Sequence, residues 1–323
     1  MTSVTVVVPA YNESETFAAS LVSIADYFTK HRGGGYDFNY LIVDDGSSDE
    51  TYAVAASFAS RRRDVRVLRH ERNRGLGAAM RTAFAEIDSE IAVVLDADLS
   101  YTPATAMELI ELLDRQDADI ALASPYAPGG AVQNVPLARR VLSREANRLL
   151  SLATCGRYAT LTCMVRAYRV EALRRLEFAS DGMDSVAEML LCGLRKKMRV
   201  VELPTTLCWS EERREAGGRF RPFGVLPRIA ATCLMACRYR PALWLALPGL
   251  FPGLLPLTVA ALLLLRVNGP TLAIGTTTVV VVQYSSLALF SGQLAAFFGR
   301  RLYHRHHPNG VHPNGHNVPS RSV

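Results

Sequence analysis

Short apolar runs alternate with amphipathic stretches through the first half of the 323-residue chain. The run VTVVVPA at 4–10 predicts a buried strand, and the segment after it places Phe17, Leu21 and Ile24 at helical spacing. Further strands are predicted at 40–45, 65–70, 91–98 and 119–124, with a helix after each of the first three. This β-α-β order predicts an α/β fold, in which a mostly parallel sheet carries helices on both faces.

Polar residues cluster where three of the predicted strands end. Pro9 to Glu13 close the first strand, Asp44 and Asp45 the second, and Asp96 and Asp98 the fourth. Ligands of open α/β sheets bind beyond the carboxyl ends of the strands. We therefore expect these three clusters to meet in one site at that edge.

Asp96 and Asp98 stand one residue apart at the end of the predicted strand 91–98. Side chains alternate between the faces of a strand, so the two carboxylates are expected on the same face. Two adjacent carboxylates repel each other, and a divalent cation between them removes the repulsion. Hard oxygen ligands suit Mg²⁺ or Mn²⁺. A solvated turn is the alternative for so short a pattern.

Two long apolar runs occupy 242–267 and 271–298, and neither contains an acidic residue. Each exceeds the roughly 20 residues that a helix needs to cross a hydrocarbon core of about 30 Å. The turn sequence Asn268–Pro270 joins them, which predicts a two-helix transmembrane hairpin. A pair of buried core helices is the alternative.

Basic residues flank both apolar runs, which sets the expected orientation. They are Arg228, Arg238 and Arg240 before the first run, and Arg300, Arg301 and Arg305 after the second. Positive flanks stay on the cytoplasmic side, so we predict a multi-pass protein of the cell membrane with both termini cytoplasmic. The first residues lack a basic region and a cleavage site, and are not expected to form a signal peptide.

The formal net charge of +6 raises the question of a nucleic-acid partner. The arginines next to the apolar runs suit anionic lipid headgroups instead, and the basic motifs with interleaved aromatics that mark nucleic-acid modules are missing from the sequence. No nucleic-acid partner is therefore expected. The six cysteines form no C-x-x-C pair and are expected to be buried apolar residues on the reducing side.

Four ordered segments, VVVPAYNE, VDDGSSDET, RNRGLGAAM and LDADLSYTP, resemble glycosyltransferase family 2. The similarity is greatest to its polyprenyl-phosphate glycosyltransferases, the group of the dolichyl-phosphate mannose synthases and bactoprenol glucosyltransferases. It covers residues 4–215. The resemblance implies a nucleotide-sugar-binding fold of the GT-A type. It also implies a metal-dependent, inverting hexosyltransferase that uses Mg²⁺ or Mn²⁺ to move a sugar from a UDP- or GDP-linked donor to polyprenyl phosphate.

The resemblance also implies which residues form the donor site. The expected nucleotide-sugar-binding residues are Pro9, Tyr11, Glu13, Asp45, Asn73, Gly75 and Asp96. Asp96 and Asp98 are the expected catalytic residues and metal ligands, with the metal bridging the diphosphate. At Gly75 and Gly77, the missing side chain is expected to let the backbone come close to the nucleotide.

The acceptor motifs match the family less well. The expected acceptor-phosphate residues are Arg139, Ser143, Arg166, Arg219 and Arg221. Pro125 stands where relatives have arginine, Thr160 where they have aspartate, and Met164 where they have glycine. An alcohol acceptor needs a general base, whereas a phosphate monoester with a second pKa of about 6 is already ionised. The loss of a carboxylate at position 160 therefore favours a lipid phosphate.

These expectations divide the chain into four parts. They are a cytoplasmic glycosyltransferase domain at 1–215, an amphipathic juxtamembrane segment at 216–241, the hairpin at 242–299, and a disordered tail at 300–323. Two other functions stay open: a family 2 transferase acting on another membrane glycolipid or polysaccharide, and a non-catalytic membrane protein that binds nucleotide sugar or lipid. Assembly as a homo-oligomer is also left open.

Overall fold

The computed structural model describes residues 1–31 and 34–211, with single residues at 239 and between 277 and 291. The predicted juxtamembrane segment 216–241, hairpin 242–299 and tail 300–323 lie almost wholly outside these described residues. Within the part of the chain that is described, no helix combines the length and the apolar character needed to span a bilayer.

Strands and helices alternate through the first five strands, and four further strands and three helices follow within the described residues. In chain order the elements are β1 (Thr2–Ala10), α1 (Ser14–His31), β2 (Tyr36–Asp44), α2 (Thr51–Ser60), β3 (Val65–Arg69), α3 (Leu76–Ala85), β4 (Ile91–Val94), α4 (Pro103–Arg115), β5 (Ile120–Ser124), β6 (Ala131–Gln133), α5 (Leu137–Ala153), β7 (Arg166–Arg169), α6 (Val170–Arg174), α7 (Ser185–Arg195), β8 (Val200–Pro204) and β9 (Thr206–Cys208).

Seven strands form the central sheet in the order β3-β2-β1-β4-β7-β5-β8. All neighbours in it are parallel except β7, which runs antiparallel to both β4 and β5. The predicted mostly parallel α/β sheet is therefore confirmed. The sequence did not predict β7, because its four residues Arg166–Arg169 include two arginines and carry no strand-like apolar pattern.

Alternate residues of the central strands build the larger core. Val4, Val6 and Val8 of β1 point into one cluster with Phe17 of α1 and Ile110 of α4, and all five are almost fully buried. Each such side chain contributes about 1.5–3 kcal/mol when it leaves water. Helices α3 and α7 contact each other and lie outside this cluster, so helices cover both faces of the sheet.

Helix α4 begins as its sequence predicts. The Thr102 side chain accepts a hydrogen bond from the Thr105 amide, and Pro103 occupies the first turn, where its missing N–H costs nothing. This cap ends the loop that leaves β4. The loop 95–101 is therefore held at one end by β4 and at the other by the capped start of α4.

Strands β6 and β9 form a second sheet of two parallel strands. In the chain, β9 comes directly after β8, the edge strand of the main sheet. Cys208 of β9 donates its amide proton to the Ser100 carbonyl at 3.0 Å. The small sheet therefore joins the loop after β4 to the segment that precedes α5.

Candidate active site

The predicted donor clusters follow three adjacent strands. In the sheet order β2, β1 and β4 are neighbours, and Ala10 stands in register with Asp44. Leu95 continues the ladder by donating to the Val7 carbonyl at 3.0 Å. The three loops that leave these strands consequently begin side by side at one edge, which confirms the expected convergence.

The loops after β1 and β2 are bonded to each other through side chains. Asn12, in the left-handed region with φ of 54°, accepts from the Ser48 amide at 2.9 Å and donates its own amide to the Ser47 hydroxyl at 3.0 Å. The Glu13 amide donates to the Thr51 hydroxyl at 2.8 Å. Asparagine tolerates this conformation better than most residues do. The two loops therefore form one preorganised wall.

Asp49 adds a charged link to the same wall. Its carboxylate accepts from the Ser14 amide at 3.2 Å and from the amide and hydroxyl of Thr51 at 3.0 and 2.6 Å. Burial on its own would raise the pKa of Asp49, but the hydrogen bonds from Thr51 and Ser14 outweigh it and lower the pKa to about 2. Asp49 is thus held as a carboxylate across the physiological range.

Asp45 connects this wall to the loop after β3. One carboxylate oxygen lies 2.7 Å from the His70 Nδ1 and accepts from the Arg74 amide at 3.0 Å, and the other accepts from the Gly75 amide at 2.7 Å. The resemblance implies that Asp45 belongs to the nucleotide-sugar site. In the structure its carboxylate holds the Asn73–Gly75 loop in place, and contact with the nucleotide stays a prediction.

His70 is a site residue that the sequence analysis missed. It is 7% exposed, and its second nitrogen lies 2.9 Å from the Thr82 hydroxyl on α3. Both ring nitrogens are therefore engaged between Asp45 and α3. The available signal was a histidine at the end of a predicted strand, opposite the Asp45 that ends the neighbouring one.

The glycines of the loop after β3 make a close approach, to protein backbone. Gly75 has φ of 94°, and a Cβ there would lie 2.4 Å from the Asp181 carbonyl oxygen. A Cβ on Gly77 would lie 2.1 Å from the Ser180 carbonyl oxygen, and the Gly77 amide donates to Asp181 at 2.6 Å. The expected close approach to the nucleotide stays a prediction, and the observed neighbour that requires glycine here is the 180–182 backbone.

Asp96 and Asp98 lie in a turn beyond β4, because that strand ends at Val94. Leu99 adopts φ of 52° and donates its amide to the Asp96 carbonyl at 3.2 Å, which turns the chain out of the sheet. The predicted strand 91–98 thus ends four residues early, and the argument that strand alternation puts both carboxylates on one face is wrong. The Ser100 amide binds the Asp98 carboxylate at 2.9 Å, so the turn itself fixes this side chain.

Two buried groups that can lose a proton, the Cys163 thiol and the Tyr101 hydroxyl, lie close to this turn. Burial raises the pKa of the Cys163 thiol to about 12, and the Asp96 carboxylate adds to the rise. Burial, followed by the effect of Cys163, also raises the pKa of the Tyr101 hydroxyl. Both groups stay neutral at physiological pH, so the negative charge in this part of the site belongs to the aspartates.

The remaining donor residues lie where the motifs put them. Pro9 is buried within β1, and Tyr11 directly after that strand is 45% exposed. Asn73 is exposed in the loop after β3. Their predicted contacts with a nucleotide stay predictions. Among residues 1–31 and 34–211, no group of three or more His, Cys, Asp and Glu side chains forms a metal-binding cluster.

The predicted acceptor residues Arg139 and Ser143 lie on α5. The Arg139 guanidinium is 5.4 Å from the centre of the Trp209 ring, which follows β9. The Trp209 amide in turn donates to the Gln133 carbonyl of β6 at 3.3 Å. Trp209 was missed by the sequence analysis, because nothing in the sequence predicts that β9 returns to the start of α5.

Asn147 of the same helix organises the segment that contains Thr160. Its buried amide donates to the Thr162 hydroxyl at 2.8 Å and to the Ser143 carbonyl at 2.9 Å. Its oxygen accepts from the amides of Leu161 and Thr162 at 2.7 and 3.1 Å. The predicted acceptor segment is therefore held directly by α5.

Thr160 is buried beside a carboxylate that the sequence analysis did not single out. Its hydroxyl lies 2.8 Å from the Ser124 hydroxyl, and its amide donates to Glu202 at 3.0 Å. Glu202 also accepts from Ser124 at 2.9 Å and from the Ala159 amide. A carboxylate is thus present next to position 160, supplied by β8.

Arg166 is fully buried at the start of β7, opposite Val94. Its guanidinium donates to the Val186 and Leu161 carbonyls, both at 2.7 Å. These bonds tie the acceptor segment to α7 and give Arg166 a bracing role, and its predicted contact with an acceptor phosphate stays a prediction. Arg219 and Arg221 lie outside the described residues.

The sequence matches a known family over more than half of its length. A family model described as "Glycosyl transferase family 2" matches residues 5–177. The chain is 32% identical over 205 residues to a dolichol-phosphate mannosyltransferase from Pyrococcus furiosus, covering 63% of this chain and 56% of that protein. It is 33% identical over 210 residues to a polyprenol monophosphomannose synthase from Mycolicibacterium smegmatis, covering 62% and 76%. An undecaprenyl-phosphate mannosyltransferase from Micrococcus luteus is 29% identical over 220 residues, covering 66% and 87%.

Solved structures resemble the fold at lower identity. Glucosyl-3-phosphoglycerate synthase from Mycobacterium tuberculosis, in complex with Mn²⁺, UDP and phosphoglyceric acid, superposes with a TM-score of 0.54 at 22% identity. The match covers 73% of this chain and 78% of that one. The same synthase with Mg²⁺ and UDP gives a TM-score of 0.53 at 21% identity, covering 73% and 79%. At this identity the likeness shows a shared fold of the GT-A type and nothing further.

Proposed function

Because the chain belongs to glycosyl transferase family 2, we propose that it transfers a sugar from a nucleotide-sugar donor to a polyprenyl phosphate. The acceptor class is supported by the three relatives, a dolichol-phosphate mannosyltransferase, a polyprenol monophosphomannose synthase and an undecaprenyl-phosphate mannosyltransferase. The matched stretch is little more than half of the Pyrococcus furiosus protein, so the activity is carried over as a proposal.

The observation that carries the proposal is the convergence of three motif loops beyond β1, β2 and β4. The hydrogen bonds from the Ser48 amide to Asn12 and from the Gly75 amide to Asp45 fix the loops after β1, β2 and β3 relative to one another. A donor diphosphate bound there would meet backbone amides and polar side chains already in position. Preorganised groups cost no reorganisation when the substrate arrives.

A divalent cation fits the carboxylates beyond β4. Asp96 and Asp98 are half-buried in one turn at the site edge, and their oxygens are hard ligands. Two protein carboxylates are a sufficient set for Mg²⁺ or Mn²⁺, because substrate phosphates and water complete the coordination. When bound there, the cation supplies a Lewis acid that offsets the charge of the departing nucleoside diphosphate. The amide of Ser100 holds one oxygen of the Asp98 carboxylate at 2.9 Å, which fixes this side chain in the turn.

The acceptor side favours a nucleophile that is already ionised. Position 160 holds a hydroxyl, which is no base at neutral pH, and its neighbour Glu202 already accepts three kinds of hydrogen bond, from Ala159, Thr160 and Ser124. A phosphate monoester is largely dianionic above its second pKa of about 6 and needs no base. Its oxygen would attack the anomeric carbon in line and invert the configuration there.

Arg139 and Ser143 are the proposed contacts for the acceptor phosphate. Arg139 is exposed near the start of α5 and Ser143 lies one helical turn later, so both are on the side of α5 that continues to the buried Asn147. Arginine suits a phosphate because its fork of N–H donors makes paired bonds. Arg219 and Arg221 stay further candidates outside the described residues.

The proposed setting is the cytoplasmic surface of a membrane. The apolar runs 242–267 and 271–298, with their flanking arginines, support a hairpin that holds the catalytic domain near its lipid substrate. Labelling of residues introduced near positions 2 and 320 in intact cells tests the topology. Labelling from the outer side would contradict it.

A transfer assay tests the reaction and the acceptor together. Purified full-length protein in detergent is given UDP- and GDP-linked sugars with polyprenyl phosphate, and Arg139→Ala is compared with Arg61→Ala, an exposed arginine after α2. We expect transfer with one class of donor, and a raised KM for polyprenyl phosphate in Arg139→Ala alone, because only that variant loses a phosphate contact. Unchanged lipid kinetics in Arg139→Ala would remove Arg139 from the site.

One observation favours a second function, transfer to a hydroxyl. Glu202 places a carboxylate beside Thr160, where a base for an alcohol acceptor would lie. The same assay with neutral polyprenol and with Glu202→Gln decides between the two. Transfer to polyprenol that disappears in Glu202→Gln would replace the phosphate acceptor with an alcohol. No transfer to either lipid, with donor still bound, would favour a non-catalytic binding protein.

A further inference from the structure

Helix α5 exposes large apolar side chains on the surface of the catalytic domain. Leu137 is 65% exposed, Val141 51% and Leu149 37%. Single exposed apolar residues are ordinary. Leu137, Val141 and Leu149 follow a spacing of four residues with Glu145 between the last two, so the patch they form is one row along the helix. The helix is otherwise anchored by its opposite side, where Asn147 and Leu150 are buried.

Arginines border this patch at helical spacing. Arg140, Arg144 and Arg148 follow one another at intervals of four residues, as do Leu137 and Val141, so each set forms a stripe along the helix. All three arginines are exposed. We call these three arginines, together with Leu137, Val141 and Leu149, the α5 outer face.

The charge of α5 has one dominant sign. The helix contains four arginines and a single acidic residue, Glu145, which pairs with Arg148. A surface that is both apolar and positive is complementary to a layer with an apolar interior and negative headgroups. A helix of this kind lies in the plane of such an interface, with its apolar side chains among the acyl chains and its arginines at the phosphates.

We propose that the α5 outer face docks on an anionic lipid surface, as a contact of the catalytic domain in addition to the predicted hairpin. The proposal rests on the proposed function in one respect: Arg139, the proposed acceptor-phosphate residue, belongs to the same helix. Docking α5 in the headgroup layer puts Arg139 at the depth where the phosphate of a membrane-held polyprenyl phosphate lies. The acceptor then enters the site without leaving the bilayer.

The test measures the depth of α5 in a membrane. Full-length protein is reconstituted into vesicles of phosphatidylcholine with phosphatidylglycerol, and a fluorescent amino acid replaces Val141. The matched control carries the same amino acid at Val22, which is 49% exposed on α1. Brominated lipid and aqueous iodide serve as the two quenchers. Neither donor nor acceptor is present, so a failure of this test is separate from a failure of the transfer assay.

We expect the probe at 141 to be quenched by brominated lipid and shielded from iodide, and the probe at 22 to show the reverse. Arg140→Glu with Arg144→Glu should remove most of the lipid quenching at 141. The same charge change at the exposed pair Arg61 and Arg63 should leave it unchanged. Iodide quenching at 141 equal to that at 22 would overturn the proposal. Shielding of 141 from both quenchers would also overturn it, because a protein segment would then cover the face.

Discussion

The donor and acceptor sides of the site are held together in different ways. On the donor side, loops bind each other: Asn12 bonds to Ser48, and Asp45 bonds to the amides of the loop after β3. On the acceptor side, buried residues of neighbouring elements bind a single segment, and the proposed phosphate residue Arg139 stands outside them on an exposed helix.

This difference suits the two substrates of the proposed reaction. A nucleotide sugar is a compact polar molecule, and fixed loops with prepared donors can match it closely. A polyprenyl phosphate presents only its headgroup to the protein while its chain stays in lipid. Its site therefore needs a rigid, hydrogen-bonded segment and an accessible arginine. The comparison predicts that mutations on the donor side and on the acceptor side change different measurable quantities.

The largest effect is expected from the aspartates beyond β4. Asp96→Asn or Asp98→Asn should lower transfer by about a hundredfold, the scale of losing one main electrostatic stabiliser. In Asp98→Asn the amide oxygen still accepts from Ser100, so the turn is kept and the loss reports the missing charge. Initial rates with saturating donor and lipid, alongside circular dichroism, measure it. Turnover near wild type in both folded variants would remove the metal assignment.

Arg166→Met separates a bracing role from a substrate contact. The change removes the two hydrogen bonds from the charged guanidinium to the Leu161 and Val186 carbonyls, and a bond to a charged group contributes about 1.5–3 kcal/mol. The expected result is a marked fall in the free energy of unfolding, measured by denaturant titration. Arg169→Met, at the other end of β7, removes partly exposed ion pairs with Asp114 and Asp117 and should cost less than about 1 kcal/mol.

An opposite result would revise the acceptor side. If Arg166→Met kept its stability and instead raised the KM for polyprenyl phosphate, Arg166 would be a phosphate contact. The buried segment beside Arg166 would then be part of the acceptor-binding site. The acceptor side would no longer divide into a buried structural segment and an exposed arginine that binds phosphate.

Asp45→Asn tests whether the donor side depends on its cross-links. An asparagine amide places a donor against the backbone donors of Arg74 and Gly75, so one of these bonds is lost. A bond to a charged group contributes about 1.5–3 kcal/mol, which corresponds to about a tenfold or greater rise in donor Kd. Calorimetric titration with the nucleotide measures it. Asp37→Asn, the same change at the amino end of β2, serves as the control and should leave donor Kd unchanged.

The fold and the donor side were predictable because both follow from local patterns. Apolar runs marked β1, β2, β3 and β5 to within a few residues, and Thr102 marked the start of α4. Convergence of the motifs follows from the parallel sheet itself. The end of β4 was missed, because Asp96 and Asp98 continue the alternating pattern of a strand while Leu99 turns the chain away.

The acceptor side was less predictable because its contacts join distant parts of the chain. Trp209 and Glu202 act through partners that are 42 to 78 residues away, and no local spacing reveals such pairs. Arg166 matched a family motif, yet the motif does not state whether its guanidinium faces solvent or backbone carbonyls. The expectation that cysteines are buried holds for Cys163 and is wrong for Cys208, which the edge of β9 leaves exposed.

Substitutions of Trp209 test how strongly its ring stabilises the position of the exposed Arg139. A cation over an exposed ring gains about 0.5–1 kcal/mol, so Trp209→Ala should raise the KM for polyprenyl phosphate about two- to fivefold and leave donor Kd unchanged. Trp209→Phe keeps a ring beneath Arg139 and should retain most of the wild-type affinity. Equal losses in Trp209→Ala and Trp209→Phe would show that β9 packing, and not the ring, accounts for the effect.

The smallest predicted effect is a loss of stability at low pH, and it arises on the donor side. The folded pKa of Asp49 is lowered from 3.8 to about 2, so its stabilising contribution is fully present above pH 3.8 and is lost as the pH falls towards 2. Because Asp49 is exposed, solvent screening keeps the contribution small. The Tm of wild type should exceed that of Asp49→Asn by a constant margin at neutral pH, and the two curves should meet near pH 2. A margin that persists at pH 2 would mean that asparagine disturbs the Ser14 and Thr51 contacts by shape, and that the carboxylate charge contributes nothing to the wall between β1 and β2.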